Sequence, residues 1–252
     1  MAQVNGTGSS DTLKGTSSVD AMNGYGGNDT LYGYGVNDSI NAGDGDDLAY
    51  GGDGNDSIGN PYVNTSVYSD NDTFYGEAGD DTLDGGNGND KLYGGIGSDK
   101  LYGGQDHDSL YGEEGTDTIY GGAGNDYLDS GTSSTGVWFD KLYGEDGDDT
   151  LVSRGGITTM SGGTGNDIFI QYDNFTTIDG GSGDDWFRFY ANSGNSRATV
   201  TDSSGVSDTI SFADVTYDQF EFFRTQMIWS SPPKLMLRMA TSVVVSRSKT
   251  TT

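Results

Sequence analysis

The chain has 252 residues, enough for one or two domains, but only 32% are hydrophobic, 43 are glycine and the formal net charge is −27. That composition belongs to chains that cannot bury enough apolar surface to fold unaided, so an ordinary globular core is excluded and something besides burial must order the chain. Phosphate binding needs the opposite charge, which excludes nucleic acid as a partner and makes cations the natural ones.

The charge is unevenly spread. The first 188 residues carry 34 acids and six bases, a net of −28, whereas the remainder carries five acids and six bases, a net of +1. There is no cysteine to form a disulfide staple, and His107 is the only histidine. The N-terminus, MAQVNGTGSSDTLKG, has neither a basic region nor an apolar run, so it is not a secretory signal peptide. No segment approaches the roughly 18 apolar residues of a membrane helix.

From its N-terminus the chain reads as a register of nine-residue units, G-G-x-G-x-D-x-U-x, with U apolar. Units begin at Gly6, Gly15, Gly24, Gly33, Ala42 and Gly51, and residues 60–66 then interrupt. They resume at Val67, Gly76, Gly85, Gly94, Gly103, Gly112 and Gly121, and residues 130–134 interrupt again. The last six begin at Thr135, Gly144, Ser153, Gly162, Gln171 and Gly180, which makes nineteen units. Six satisfy every consensus position, those at Gly51, Gly85, Gly94, Gly121, Gly162 and Gly180; the first two units and those at Val67, Thr135, Ser153 and Gln171 are degenerate.

Two positions persist through this variation. The eighth is apolar in every unit, from Leu13 and Met22 through Leu92, Leu101 and Leu110 to Ile178 and Phe187, and reads as structural. The sixth is aspartate except at Thr158 and Thr176, and reads as chemical. One large apolar residue per nine suits a short strand in which position 8 points inward and positions 7 and 9 outward. Such strands bury little singly, but stacked coil on coil they make a narrow continuous interior, which predicts a solenoid with capped ends. The G-G-x-G-x-D turn offers backbone carbonyls and a short carboxylate with no nitrogen or sulfur. That is the donor set of calcium, which takes six to eight oxygens, rather than of magnesium with its retained waters or of zinc and copper.

The repeat resembles the RTX (repeats-in-toxin) family of hemolysin-type calcium-binding nonapeptide repeats over residues 6–188. The resemblance implies an all-β, right-handed parallel β-roll, a β-solenoid in which two units make one coil and calcium lies between the turns of unit n and unit n+2 on both edges. Transferred here, Asp90 shares an ion with Asp108, and Asp99 with Asp117. The expected carboxylate ligands are Asp29, Asp38, Asp47, Asp56, Asp72, Asp81, Asp90, Asp99, Asp108, Asp117, Asp126, Asp140, Asp149, Asp167 and Asp185. Turn carbonyls would complete the shells at Gly51, Gly52 and Gly54; Gly85, Gly86 and Gly88; Gly94, Gly95 and Gly97; Gly103 and Gly104; Gly121, Gly122 and Gly124; Gly162, Gly163 and Gly165; and Gly180, Gly181 and Gly183. Thr158 and Thr176 fall in alternate units, so one edge should lose ions towards its C-terminal end. About a dozen Ca2+ ions would nearly cancel the charge of −27.

Other residues carry weaker signals. Tyr32, Tyr50, Tyr75, Tyr93 and Tyr111 hold position 9 in alternate units and should stack on one face, with Tyr102, Tyr120 and Tyr143 as a shorter run on the other. Their ordinary role is cross-strand packing; their functional alternative is a docking face for glycan or a sister molecule. His107 reads as a solvated turn residue at a variable position, since no nucleophile and orienting partner accompany it. The fixed period of the aspartates argues for metal ligation over glycosidase pairs, and position 3 has no regular Thr or Asn column of the kind an ice-binding plane would want.

After Arg188 the register fails. VSDTISF at 206–212 echoes it, with Asp208 and Ile210 in the right relation, and FADVTYDQFEFF, KLMLRM and SVVVS supply β-like apolar runs. Residues 1–188 are therefore expected to form the roll and 189–252 a β-rich cap; the family resemblance adds a type I secretion signal region. The expected protein is not an enzyme. It is secreted or at the cell surface, folded by calcium, and structural: a surface, matrix or S-layer-like component. The alternatives are the non-catalytic folding and secretion module of a larger exoenzyme (protease, lipase or polysaccharide epimerase), against which an initiating Met1 followed at once by repeats argues, or a glycan-binding surface module.

Overall fold

The computed structural model describes residues 1–59, 70–132, 137–172, 175–190, 197–201, 208–213, 220–223, 235–236 and 243–247. The first interruption, the opening residues of the units at Val67 and Thr135, and most of 189–252 lie outside them. The described residues form twenty-five strands and no helix. Successive strands alternate between a 13-stranded and a 12-stranded sheet, so each sheet takes every second unit. Pairing is parallel and keeps the repeat register: Leu92 of Lys91–Gly97 faces Leu110 of Ser109–Gly115, and Leu101 of Lys100–Gln105 faces Ile119 of Thr118–Ala123. The architecture is the all-β parallel solenoid implied by the repeat.

The apolar eighth residue dictates this arrangement. All nineteen lie in one buried core cluster between the sheets, from Leu13 to Phe187. Each fully buried Leu, Ile or Phe contributes roughly 1.5–3 kcal/mol, and stacking makes the contribution continuous along the roll. Two further rungs extend the core past the repeats: Val200 pairs with Ile178, and Ile210 with Phe187. Beyond them the pairing turns antiparallel, with Val243–Arg247 against Arg197–Thr201 and Leu235–Met236 against Thr209–Ala213.

The strands are longer than a three-residue strand followed by a turn. Lys91–Gly97 runs through position 9 and the glycines to position 4, so much of the glycine segment is itself paired. Different glycines serve different needs. At the first position space decides: a Cβ on Gly94 would meet Asp99 Oδ2 at 2.5 Å and the Gly112 carbonyl oxygen at 2.8 Å. At the second and fourth positions backbone conformation decides, as at Gly95 and Gly97 with φ of 111° and 152°. At several of these places another residue accepts left-handed strain of roughly 1–2 kcal/mol. Glu113 (φ 72°) does so at position 2, and the β-branched Val36 (φ 65°) at position 4.

Tyr32, Tyr50, Tyr75 and Tyr93 stack in series with Tyr111 at centroid spacings of 5.1, 5.0, 4.7 and 4.9 Å, and Tyr102, Tyr120 and Tyr143 at 5.1 and 4.9 Å. These spacings follow the separation of neighbouring strands, about 4.8 Å. The ring faces are turned to one another, so the ladders present ring edges and hydroxyl groups outward.

Candidate metal-binding edges

Each sixth-position aspartate ends a turn at one edge of the roll and joins three coils there. Asp90 is representative. Its N–H donates to Oδ1 of Asp108 at 2.8 Å, its own Oδ1 accepts from the N–H of Asp72 at 2.7 Å, and its carbonyl accepts from Ser109 N–H at 2.9 Å. Repetition produces two columns. The first runs Asp11, Asp29, Asp47, Asp72, Asp90, Asp108, Asp126, Asp149, Asp167, Asp185 and Asp208. The second runs Asp20, Asp38, Asp56, Asp81, Asp99, Asp117 and Asp140. The pairs Asp90–Asp108 and Asp99–Asp117 are therefore neighbours on opposite edges, as the repeat register requires.

One carboxylate oxygen is used in this way and the other is not. Oδ2 of Asp29, Asp38, Asp47, Asp56, Asp81, Asp90, Asp99, Asp108, Asp117, Asp126, Asp149, Asp167, Asp185 and Asp208 is buried without a hydrogen-bond partner. A buried anionic oxygen with no donor costs several kcal/mol unless a cation or a proton meets it. Except at Asp47 and Asp208, these oxygens sit over the first glycine of their own unit, Gly85 for Asp90 and Gly94 for Asp99, in space that a Cβ would fill. The other turn glycines named above belong to the same units: Gly51, Gly52 and Gly54 to that of Asp56, Gly103 and Gly104 to that of Asp108, Gly121, Gly122 and Gly124 to that of Asp126, Gly162, Gly163 and Gly165 to that of Asp167, and Gly180, Gly181 and Gly183 to that of Asp185. Among the described residues no three acidic or histidine side chains converge into a cage, so a cation here must draw on backbone carbonyls as well as carboxylate. That donor set, oxygen only and anionic, fits calcium.

Burial pushes the carboxyl groups up, and for all of those below but Asp140 neighbouring carboxylates add to the effect. Asp72 is raised to about 9, Asp108 and Asp149 to about 8. Asp47, Asp56, Asp81, Asp90, Asp99, Asp117 and Asp140 are raised to about 7, and Asp126, Asp167 and Asp185 to about 6. Without metal the folded roll thus holds protons that an unfolded chain, with carboxyls near 3.9, has released. Where the folded state binds more protons, stability falls as pH rises, so the metal-free roll loses stability between about pH 4 and about pH 9. In chelator, β-sheet ellipticity should therefore increase from pH 8 to pH 5, above the isoelectric point near 4.1. Unchanged or reduced ellipticity at pH 5 would refute this.

The ends of the columns are built differently. In the first two units the second position is threonine. The N–H and hydroxyl of Thr7 both donate to Asp11 Oδ2, at 2.7 and 2.8 Å, and Thr16 does the same for Asp20. Burial alone would raise Asp20, but those hydrogen bonds outweigh it and hold the group below its ordinary value. These two carboxylates are satisfied by protein, which closes both columns at the N-terminal end. Towards the other end the second column stops at Asp140. Thr158 and Thr176 occupy its next two places in register, and the Thr158 Oγ1 accepts from the Ser153 hydroxyl at 2.8 Å. The residues before them, Phe139, Ile157 and Phe175, are apolar and aligned across the same strands.

A second column was not legible from the consensus. Position 5, read as variable, is mostly Asn or Asp, and its hydrogen bonds run in the opposite sense. On the first edge Asn71, Asn89, His107, Asn125, Asp148, Asn166 and Asp184 each donate a backbone N–H to the fifth-position side chain one coil earlier. His107 belongs to this column: its N–H donates to Asn89 Oδ1 at 2.9 Å, and its Nδ1 accepts from Asn125 N–H at 2.6 Å. It is an exposed turn residue, as expected, in a place where an imidazole nitrogen substitutes for an amide oxygen. The signal available was the recurrence of Asn before Asp, as in Asn55, Asn89, Asn125 and Asn166.

The RTX calcium-binding nonapeptide repeat matches residues 5–40, 32–58, 68–101, 93–128 and 139–160, more than half of the chain. The chain belongs to this family. No curated protein matches it. As an RTX β-roll it is a calcium-binding repeat protein.

Proposed function

We propose that this RTX protein is an extracellular, calcium-folded β-roll without catalytic activity that serves as a structural component of a cell surface or matrix. The observation that carries the reading is the pair of columns of buried carboxylates whose Oδ2 atoms lack partners. Asp29, Asp47, Asp72, Asp90, Asp108, Asp126, Asp149, Asp167 and Asp185 would hold ions along one edge, and Asp38, Asp56, Asp81, Asp99, Asp117 and Asp140 along the other, with the turn carbonyls of the glycines named above. Calcium supplies the positive charge that about a dozen such sites need. The chain's own residues do the rest: Oδ1 fixes each carboxylate to the next coil, the first glycine leaves room at Oδ2, and position 8 aligns successive turns through the core. Ion binding then contributes directly to folding free energy. A chain of this kind would remain open at the low calcium of a cytosol and close outside the cell, which suits export by type I machinery.

A structural role rests on the length and regularity of the roll. Purified protein with calcium should assemble into sheets, filaments or cell-bound layers visible by electron microscopy, and should not do so in chelator. Strictly monomeric, non-adherent behaviour in calcium would sink the structural role and favour a folding and secretion module of a larger exoenzyme. A glycan partner would have to use tyrosine edges and hydroxyls, since the ring faces are stacked on each other.

A further inference from the structure

The first aspartate column does not end with the repeats. The family match stops at residue 160 and the last unit ends at Arg188, yet Asp185 N–H donates to Oδ1 of Asp208 at 3.1 Å, the same bond that links every earlier pair on this edge. The two are 23 residues apart, the spacing of Asp117 and Asp140 across the second interruption. Both carboxylates are 1% exposed, and Oδ2 of each is buried without a partner. The register continues as well: Trp186 pairs with Thr209 and Phe187 with Ile210, in parallel.

The strand that follows Asp208, Thr209–Ala213, has two roles. It is the last parallel strand of its sheet, and its other side pairs antiparallel with Leu235–Met236. Its attachment to the roll includes a hydrogen bond from Trp186 Nε1–H to Ser211 Oγ at 2.8 Å. On the opposite edge the corresponding place carries no carboxylate: Thr176 pairs with Ala198.

We propose that Asp185 and Asp208 complete a further calcium site outside the repeats, which fastens the C-terminal strands to one edge of the roll. The proposal rests on the calcium reading of the two columns and extends it to a residue that no repeat contains. Satisfied N-terminal carboxylates at Asp11 and Asp20 show how this chain closes a column without metal, by placing a threonine beside the aspartate. Among the described residues Asp208 Oδ2 has no such donor. Docking of the C-terminal strands thereby depends on calcium in the same range as the roll, and on one edge only.

The test compares the full-length protein with D208N and S211A in saturating calcium, by native mass spectrometry for ion count and by hydrogen exchange for docking. D208N keeps an oxygen for the Asp185 N–H and removes the charge. It should bind one ion fewer and lose at least about tenfold in protection over 209–213, while 91–123 keeps its protection. S211A removes the Trp186 bond and no carboxylate, and should retain the full ion count. An unchanged ion count in D208N overturns the proposal, as does loss of an ion in S211A, which would assign the effect to undocking of the strand. A wild-type protein with no bound ions would overturn the calcium reading itself, a result separate from either variant's.

Discussion

In excess chelator at neutral pH the far-ultraviolet circular dichroism of this protein will lack a β-sheet signal, and calcium will restore it in one cooperative step. Two opposing quantities fix the outcome. The core holds one apolar side chain per nine residues, each contributing a few kcal/mol, while ordering each residue costs about 1–2 kcal/mol of backbone entropy. Such a ledger is unfavourable before electrostatics is considered, and the metal-free roll also buries carboxylates that burial drives up to about 6 to 9. Each ion replaces that penalty by ligation, so folding and binding become one transition. Extracellular calcium modules work at about 10⁻⁴ to 10⁻³ M, and the midpoint should fall there. A full β-sheet spectrum in chelator at pH 7.5 would refute the coupling.

Replacing Leu101 with alanine will lower the thermal midpoint of the calcium-loaded roll by about 6–12 °C while moving the calcium midpoint only slightly. Leu101 is 0% exposed and sits mid-roll between Leu83 and Ile119. Parallel stacking leaves the neighbouring coils little room to collapse, so the cost is that of a cavity, ~2–5 kcal/mol. At about 2–4 °C per kcal/mol for a chain of this size, a penalty near 3 kcal/mol gives the stated loss. Spread over about a dozen ions, the same penalty shifts the calcium midpoint only about 1.5-fold. Removing a ligand acts differently, because it subtracts a site rather than taxing all of them. Differential scanning calorimetry and a calcium titration on the same variant check both figures. A thermal midpoint within about 1 °C of wild type would show that position 8 does not carry the core.

Much of this was open to reading because the repeat is short and its two persistent positions have different chemistry. Leucine, isoleucine, methionine and phenylalanine all serve at position 8, since burial asks only for apolar volume. Aspartate alone serves at position 6 in the middle of the roll, since a short carboxylate must reach both the next coil and the open side of the turn. The fifth column escaped the consensus because Asn, Asp, Ser, Thr and His share an acceptor rather than a shape. His107 belongs to that column because its Nδ1 accepts from Asn125 N–H. The Oδ1–Oδ2 division of labour was hidden for a similar reason: a sequence shows a carboxylate, and only packing shows which oxygen is occupied.

The sequence by itself determined the nine-residue register, the alternation of inward apolar and outward polar residues, and the preference for a hard cation, and the family resemblance it carries implied the one-coil spacing between paired aspartates. Local chemistry and fixed period are enough for these, because each repeat sees the same neighbours. The tertiary structure decided what period cannot encode. It showed that Thr7 and Thr16 close the columns with hydroxyl and amide donors. It also carried one edge across a break in register to Asp208. Those are properties of ends and insertions, where a residue's partner is set by which coil lies beside it in space rather than by its place in the unit.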